Sequence, residues 1–114
     1  MVCSNSPLAA SVGINVLKDG GNAFDAALAV AATETVTIIP SCGVGGDSFV
    51  LLHEAATGKV TGVNSSGIAP SGATGEYYRS QGYATMPLEG PNSISVPGEV
   101  AAWEGIHQNF CTLP

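Results

Sequence analysis

The sequence predicts an α+β chain with helices laid against a small sheet. Two observations carry that expectation. Apolar residues recur at helical spacing before Gly20-Gly21, and an alanine-rich run follows them. Further on, the unbroken apolar stretch Phe49-Val50-Leu51-Leu52 leads through a turn into a returning strand. The order along the chain reads α-α-β-β-α-β-α, which suits a layered sheet with helices packed on it.

The first helix is expected over residues 7–18. Ser6 supplies a capping hydroxyl, Pro7 suits the first helical position, and Leu8, Val12, Val16 and Leu17 share a stripe. Gly20-Gly21 stops it. A second helix is expected over 22–36, opened by Asn22 with Asp25 near its positive end. Its alanines make it thin enough to lie very close to a neighbour. Pro40 ends it, after a Val36-Thr37-Ile38-Ile39 stretch open to either helical or extended backbone. Ser41 to Asp47 is a glycine-rich turn. A hairpin is expected over 48–63, its first strand covered on both faces because Phe49 to Leu52 is continuously apolar. A short helix over 71–82 carries Tyr77 and Tyr78. Residues 93–96 read as a short strand, and Pro97-Gly98 opens a last helix over 98–109 with Val100, Trp103, Ile106 and His107 on one face.

Composition narrows the function. Charged residues make up 11% of the 114 residues, against about 25% in an ordinary soluble domain. Apolar residues make up 45%. So few charges cover the surface of a free monomer poorly, and the expectation is a piece of something larger. Net charge is −6, with only Lys18, Lys59 and Arg79 as cations. Without a basic cluster to displace phosphate counterions, nucleic acid is not an expected partner. Cys3, Cys42 and Cys111 are far apart and form no C-x-x-C pair, so neither a zinc site nor a redox motif is read, and no metal or cofactor is expected. The apolar run 26–40 is interrupted by Thr33, Glu34, Thr35 and Thr37, too short and polar to span a bilayer. No basic region precedes an apolar core at the start, so no signal peptide is read and a cytoplasmic location is expected.

Several stretches, in order, resemble one family. They are Ser6-Pro7-Leu8-Ala9-Ala10 with Gly13, Gly20-Gly21-Asn22-Ala23-Phe24-Asp25-Ala26-Ala27, and Ser41-Cys42-Gly43-Val44-Gly45-Gly46-Asp47-Ser48-Phe49. Ala69-Pro70, Val96-Pro97-Gly98-Glu99-Val100 and Leu113-Pro114 follow at matching spacing. Together these resemble the gamma-glutamyltransferases, over nearly the whole chain. The resemblance implies that residues 1–114 are the N-terminal segment of a large chain, an incomplete domain of an αββα-sandwich N-terminal-nucleophile hydrolase. Such precursors cut themselves, and the new N-terminal Thr of the small chain becomes the nucleophile with its own α-amino group as base. That Thr lies downstream of anything matched here, so no catalytic residue is expected in this chain. The expected partners are the remainder of its own precursor and a small-molecule amide substrate.

One departure bears on the substrate. In members acting on glutathione, an Arg in a D-x-R-E-x-A-P pattern clamps the α-carboxylate of the γ-glutamyl group. Here the stretch reads Asn64-Ser65-Ser66-Gly67-Ile68-Ala69-Pro70. A neutral hydroxyl cannot replace a planar cation that grips a carboxylate at two points. This version resembles the oxamate amidohydrolase-like branch more than the glutathione-type transferases. Ser66, with Asn64, is the candidate substrate contact; the plain alternative for Ser66 is a turn serine after a strand. Asp25 is expected to serve the helix start, while Asp47 either shapes the glycine-rich turn or faces the pocket. His53, His107 and Trp103 are expected to be structural. The rival to an enzyme segment is a non-catalytic truncated relative or a partner-binding module.

Overall fold

A computed structural model describes residues 1–114. Helix α1 spans Pro7–Lys18 and α2 spans Ala23–Thr37. The Ser6 hydroxyl accepts from the Ala9 amide at 3.3 Å, and Pro7 occupies the first turn. Asn22 and Asp25 form a complete capping box at the start of α2: the Asn22 side chain accepts from the Phe24 and Asp25 amides, and Asp25 accepts from the Asn22 amide. Helix α2 runs through Thr37 and ends at Ile38 in a turn, so of the two alternatives the stretch is helical to Thr37 and the extended one is not met. The two helices pack closely through small residues, with Ala9, Gly13 and Ala26 buried between them.

Strands β1, Ser48–Glu54, and β2, Lys59–Ser65, form an antiparallel hairpin that pairs Ser48 with Ser65 and Glu54 with Lys59. The pleat sends Leu52 inward, where it is 4% exposed, and Phe49 and Leu51 outward, at 71% and 81%. Coverage of both faces, expected from the apolar run, is therefore met on one face only. Short helix α3 spans Gly75–Ser80 and α4 spans Glu99–Phe110.

Two expected elements are corrected. The helix over 71–82 shrinks to α3, because the Thr74 hydroxyl accepts from the Tyr77 amide and so marks the true start. The strand over 93–96 does not form: Pro91–Ser93 is a single 3₁₀ turn, and 94–98 crosses the end of β2 without joining a ladder. Pro97 has no amide to donate, and the Ser95 hydroxyl bonds across to the Asp47 carboxylate.

Two knots fix this arrangement. The first is the Asp25 carboxylate. Besides closing the capping box, it accepts from the Thr112 amide and hydroxyl and from the Leu113 amide, at 2.8–3.3 Å. Asn22 adds a 2.7 Å bond from its side-chain amide to the Phe110 carbonyl, and the Phe24 and Phe110 rings meet at 5.3 Å. The exit of α4 is thus tied to the entrance of α2. Burial would raise the pKa of Asp25, but the donors on Asn22, Thr112 and Leu113 outweigh it and hold the carboxyl well below the usual carboxylate range. Burial and the neighbouring Asp25 push the Cys111 thiol up to about 11.

The second knot is at the other end of α4. Helix α4 has no side-chain cap. Instead the Gly46 carbonyl accepts from the amides of Gly98 and Glu99, each at 3.0 Å, and the Ser65 hydroxyl donates to the Gly98 carbonyl at 2.6 Å. Backbones cross here at close quarters. A Cβ on Gly98 would run into the Ser65 carbonyl, and one on Gly67 into the Val96 carbonyl.

Nine of 114 residues are buried, and the radius of gyration is 17.1 Å where a closed domain of this length has roughly 13 Å. These elements form an open framework, not a sealed core.

Gly67→Ala and Gly98→Ala are expected to destabilise the protein by about 1–3 kcal/mol or more, because backbone must move to admit the methyl group; denaturant titration of each variant against wild type measures it. Asp25→Ala is expected to lower the thermal midpoint by several degrees at neutral pH. The pH dependence has two limbs. A depressed Asp25 stabilises the fold above about pH 4, where an unfolded carboxylate is ionised, and that contribution fades as pH falls further. A raised Cys111 favours the fold below the ordinary thiol range, and stability declines as pH rises toward 11. Melting curves across pH for wild type, Asp25→Ala and Cys111→Ala separate the limbs: Cys111→Ala should lose only the alkaline limb, while Asp25→Ala should lose the acid limb and weaken the alkaline one, since Asp25 helps to raise the Cys111 thiol.

Candidate functional site

The candidate site stands on the second knot. Strand β2 ends at Ser65, and the chain turns at once. The Asn64 side-chain oxygen accepts from the Ser66 amide at 3.0 Å, a local turn that leaves both side chains exposed. The structure therefore brings the two predicted contact residues together. The turn itself is held from outside. Asp47 Oδ1 accepts from the Gly67 amide at 3.3 Å and from the Ser95 hydroxyl at 3.0 Å. Asp47 thus braces the turn after β2 instead of the glycine-rich turn it closes, and it also lines a cleft.

Clefts flank this junction. One of about 350 Å³ is walled by Gly67, Ala69, Pro70, Tyr78, Asn92 and Val96. A smaller one of about 280 Å³ is walled by Cys42, Gly43, Asp47, Phe49 and Glu99. Gly67 lines the first and Asp47 the second, so the bond between them joins the two walls. Ser66 and Asn64 line neither of these; Asn64 instead borders a shallow hollow with Phe49 and Leu51 on the open sheet face. The hollow lined by Val2, Leu17, Ala26 and Val30 is almost wholly apolar and holds no convergent polar groups.

No side-chain hydrogen bond joins a serine, threonine or cysteine to a histidine or lysine. Ser95 and Thr112 donate to Asp47 and Asp25, carboxylates that each also hold a backbone amide of another segment. His107 meets only the Leu113 carbonyl, at 3.0 Å, and His53 lies exposed on β1. Trp103 sits in α4 with its indole N–H buried and unpartnered. No three His, Cys, Asp or Glu side chains are grouped to hold a metal ion, and Cys3, Cys42 and Cys111 are all free thiols. No helix is long and apolar enough to cross a membrane. Sequence reasoning missed the links around the turn, from Gly67 and Ser95 to Asp47 and from Gly98 and Glu99 to the Gly46 carbonyl, because no local pattern joins residues so far apart.

Known proteins carry the same framework. A family model described as gamma-glutamyltranspeptidase matches residues 9–114. The chain is 40% identical to the glutathione hydrolase-like YwrD proenzyme of Bacillus subtilis, over 99% of its own length and 21% of that protein's. Among solved structures it is 33% identical to a gamma-glutamyltranspeptidase from Pseudomonas nitroreducens complexed with L-DON, with a TM-score of 0.87 over 98% of this chain and 34% of that one. It is 40% identical to a cephalosporin acylase from Bacillus halodurans, with a TM-score of 0.87 over 96% of this chain and 20% of that one. The chain thus spans about a fifth of the curated relative's length, and its helices and hairpin fit the α+β framework of these enzymes. With the family model matched from residue 9 to residue 114 and the fold shared throughout, the chain belongs to the gamma-glutamyltranspeptidase family and corresponds to its N-terminal part.

Proposed function

We propose that residues 1–114 are the N-terminal segment of the large chain of a self-processing amidohydrolase, and that they supply its framework and part of its substrate wall. The observation that carries this reading is the turn at Asn64–Gly67. It is exposed, braced by Asp47 and rich in neutral hydrogen-bonding groups, with no hydrogen-bonded nucleophile and base paired in residues 1–114. The nucleophile is then the N-terminal Thr of a downstream small chain, as the resemblance implies. The wide outward face of Phe49 and Leu51 supports a remainder of the same precursor as the partner that covers it. A cytoplasmic location fits the free thiols.

The substrate is a small amide whose acyl part carries no carboxylate at the point facing Ser66. The cations of this chain support that reading. Lys59 opens β2 at the opposite end of the hairpin from the turn, Lys18 ends α1, and the Arg79 guanidinium lies back against Gly75. These features support a reading nearer the oxamate amidohydrolase-like branch than the glutathione-type transferases.

The complete protein is expected to turn over γ-glutamyl p-nitroanilide weakly. Losing a charged hydrogen-bonding partner costs about 1.5–3 kcal/mol, roughly a ten- to hundred-fold loss in apparent affinity against a relative that has the arginine. Steady-state kinetics on γ-glutamyl and uncharged acyl anilides check it. Saturable, efficient γ-glutamyl turnover would contradict the assignment of substrate class.

A further inference from the structure

We propose that Asp47 is a positioning residue: its carboxylate sets where the substrate-side turn, Asn64–Gly67, stands relative to residues 94–98. The proposal rests on the amidohydrolase reading above and adds a residue to it.

Residue 65 is fixed by its ladder partner Ser48 and by the bond from its hydroxyl to the Gly98 carbonyl. Beyond it the support thins. The Ser66 amide is satisfied locally by Asn64, which bends the chain without anchoring it to anything else. The Gly67 amide is the next donor, and its partner is Asp47, 20 positions away in sequence. The same oxygen of Asp47 receives the Ser95 hydroxyl, 48 positions away. Two continuations of the β1–β2 ladder, at Asp47 and Gly67, and a segment outside any ladder, at Ser95, therefore meet on one carboxylate oxygen.

The surroundings explain why a side chain does this work. Gly67 passes so close to Val96 that no side chain fits between them, so residue 67 has no side chain of its own with which to hold its place. The glycine-rich loop around Gly43, Gly45 and Gly46 brings the Asp47 backbone up to the crossing, and the carboxylate spans the remaining gap. Oδ1 makes both bonds and Oδ2 makes none within the chain. The role is acceptance of two hydrogen bonds, which an amide oxygen performs as well as a carboxylate. Charge is incidental to it. That separates a positioning role from a catalytic or ion-binding one.

The test uses the complete protein with Asp47→Ala, Asp47→Asn and Ser95→Ala, reading amide hydrogen exchange at Gly67 and the KM and kcat for an uncharged acyl p-nitroanilide. Asp47→Ala is expected to speed exchange at Gly67 and raise KM, each by about ten-fold, with kcat within about two-fold of wild type. Asp47→Asn, which keeps the acceptor, is expected to stay within about three-fold on both readouts, and Ser95→Ala to fall between them. An Asn variant as damaged as the Ala variant would overturn the proposal, and so would unchanged exchange at Gly67 in Asp47→Ala. If Asp47→Ala does not fold, exchange at Gly67 in Ser95→Ala decides, and a wild-type value overturns the proposal. Wild-type protein that cleaves no amide would remove the amidohydrolase reading alone, and exchange at Gly67 would still decide whether Asp47 holds the turn.

Discussion

The structure depends on one buried carboxylate. Asp25 collects donors from Asn22 at the start of α2 and from Thr112 and Leu113 beyond the end of α4. A carboxylate stripped of water is costly unless its lone pairs are satisfied, and here they are. That satisfaction matters because little else joins these parts: with nine residues buried, apolar burial is a weak glue in this framework. A directional polar clasp does the job that a packed core does in a closed domain.

Helix α4 carries the consequence to the candidate site. Its far end is held by Asp25. Its near end takes the Gly46 carbonyl as a cap and presses Gly98 against Ser65. The helix is a strut fixed at both ends, set between the α1–α2 pair and the hairpin. The turn after Ser65 inherits its position from that strut and its final alignment from Asp47. A loop placed so firmly is suited to contact a substrate, since binding then demands little further ordering.

Much of the framework was legible because it is locally punctuated. Ser6-Pro7, Gly20-Gly21 and Asn22 announce helix ends through backbone chemistry that needs no knowledge of the rest of the chain. The hairpin was legible from its apolar run and the turn around Gly58. Asn64 and Ser66 stand together through a bond that spans two residues, and their contact with substrate is a proposal. What escaped was everything settled at long range. Ile94-Ser95-Val96 alternates like a strand, yet its serine is committed to Asp47 and its proline cannot donate. Asp25 read as a helix-start residue, which it is; its grip on residues 87 and 88 positions away left no local trace. Asp47 stayed ambiguous for the same reason. The outward side of β1 was read as covered because Phe49 to Leu52 is continuously apolar, yet within residues 1–114 Phe49 and Leu51 are exposed.

The central claim is a division of labour: this segment frames and lines a site whose nucleophile lies elsewhere in the same precursor. Intact-mass analysis of the complete purified protein, with N-terminal sequencing of each polypeptide, tests it most directly. The account predicts two polypeptides, the larger containing residues 1–114 and the smaller beginning with threonine, with amide hydrolysis lost when that threonine is replaced. A single uncut polypeptide, or amide hydrolysis that survives the replacement, would contradict it.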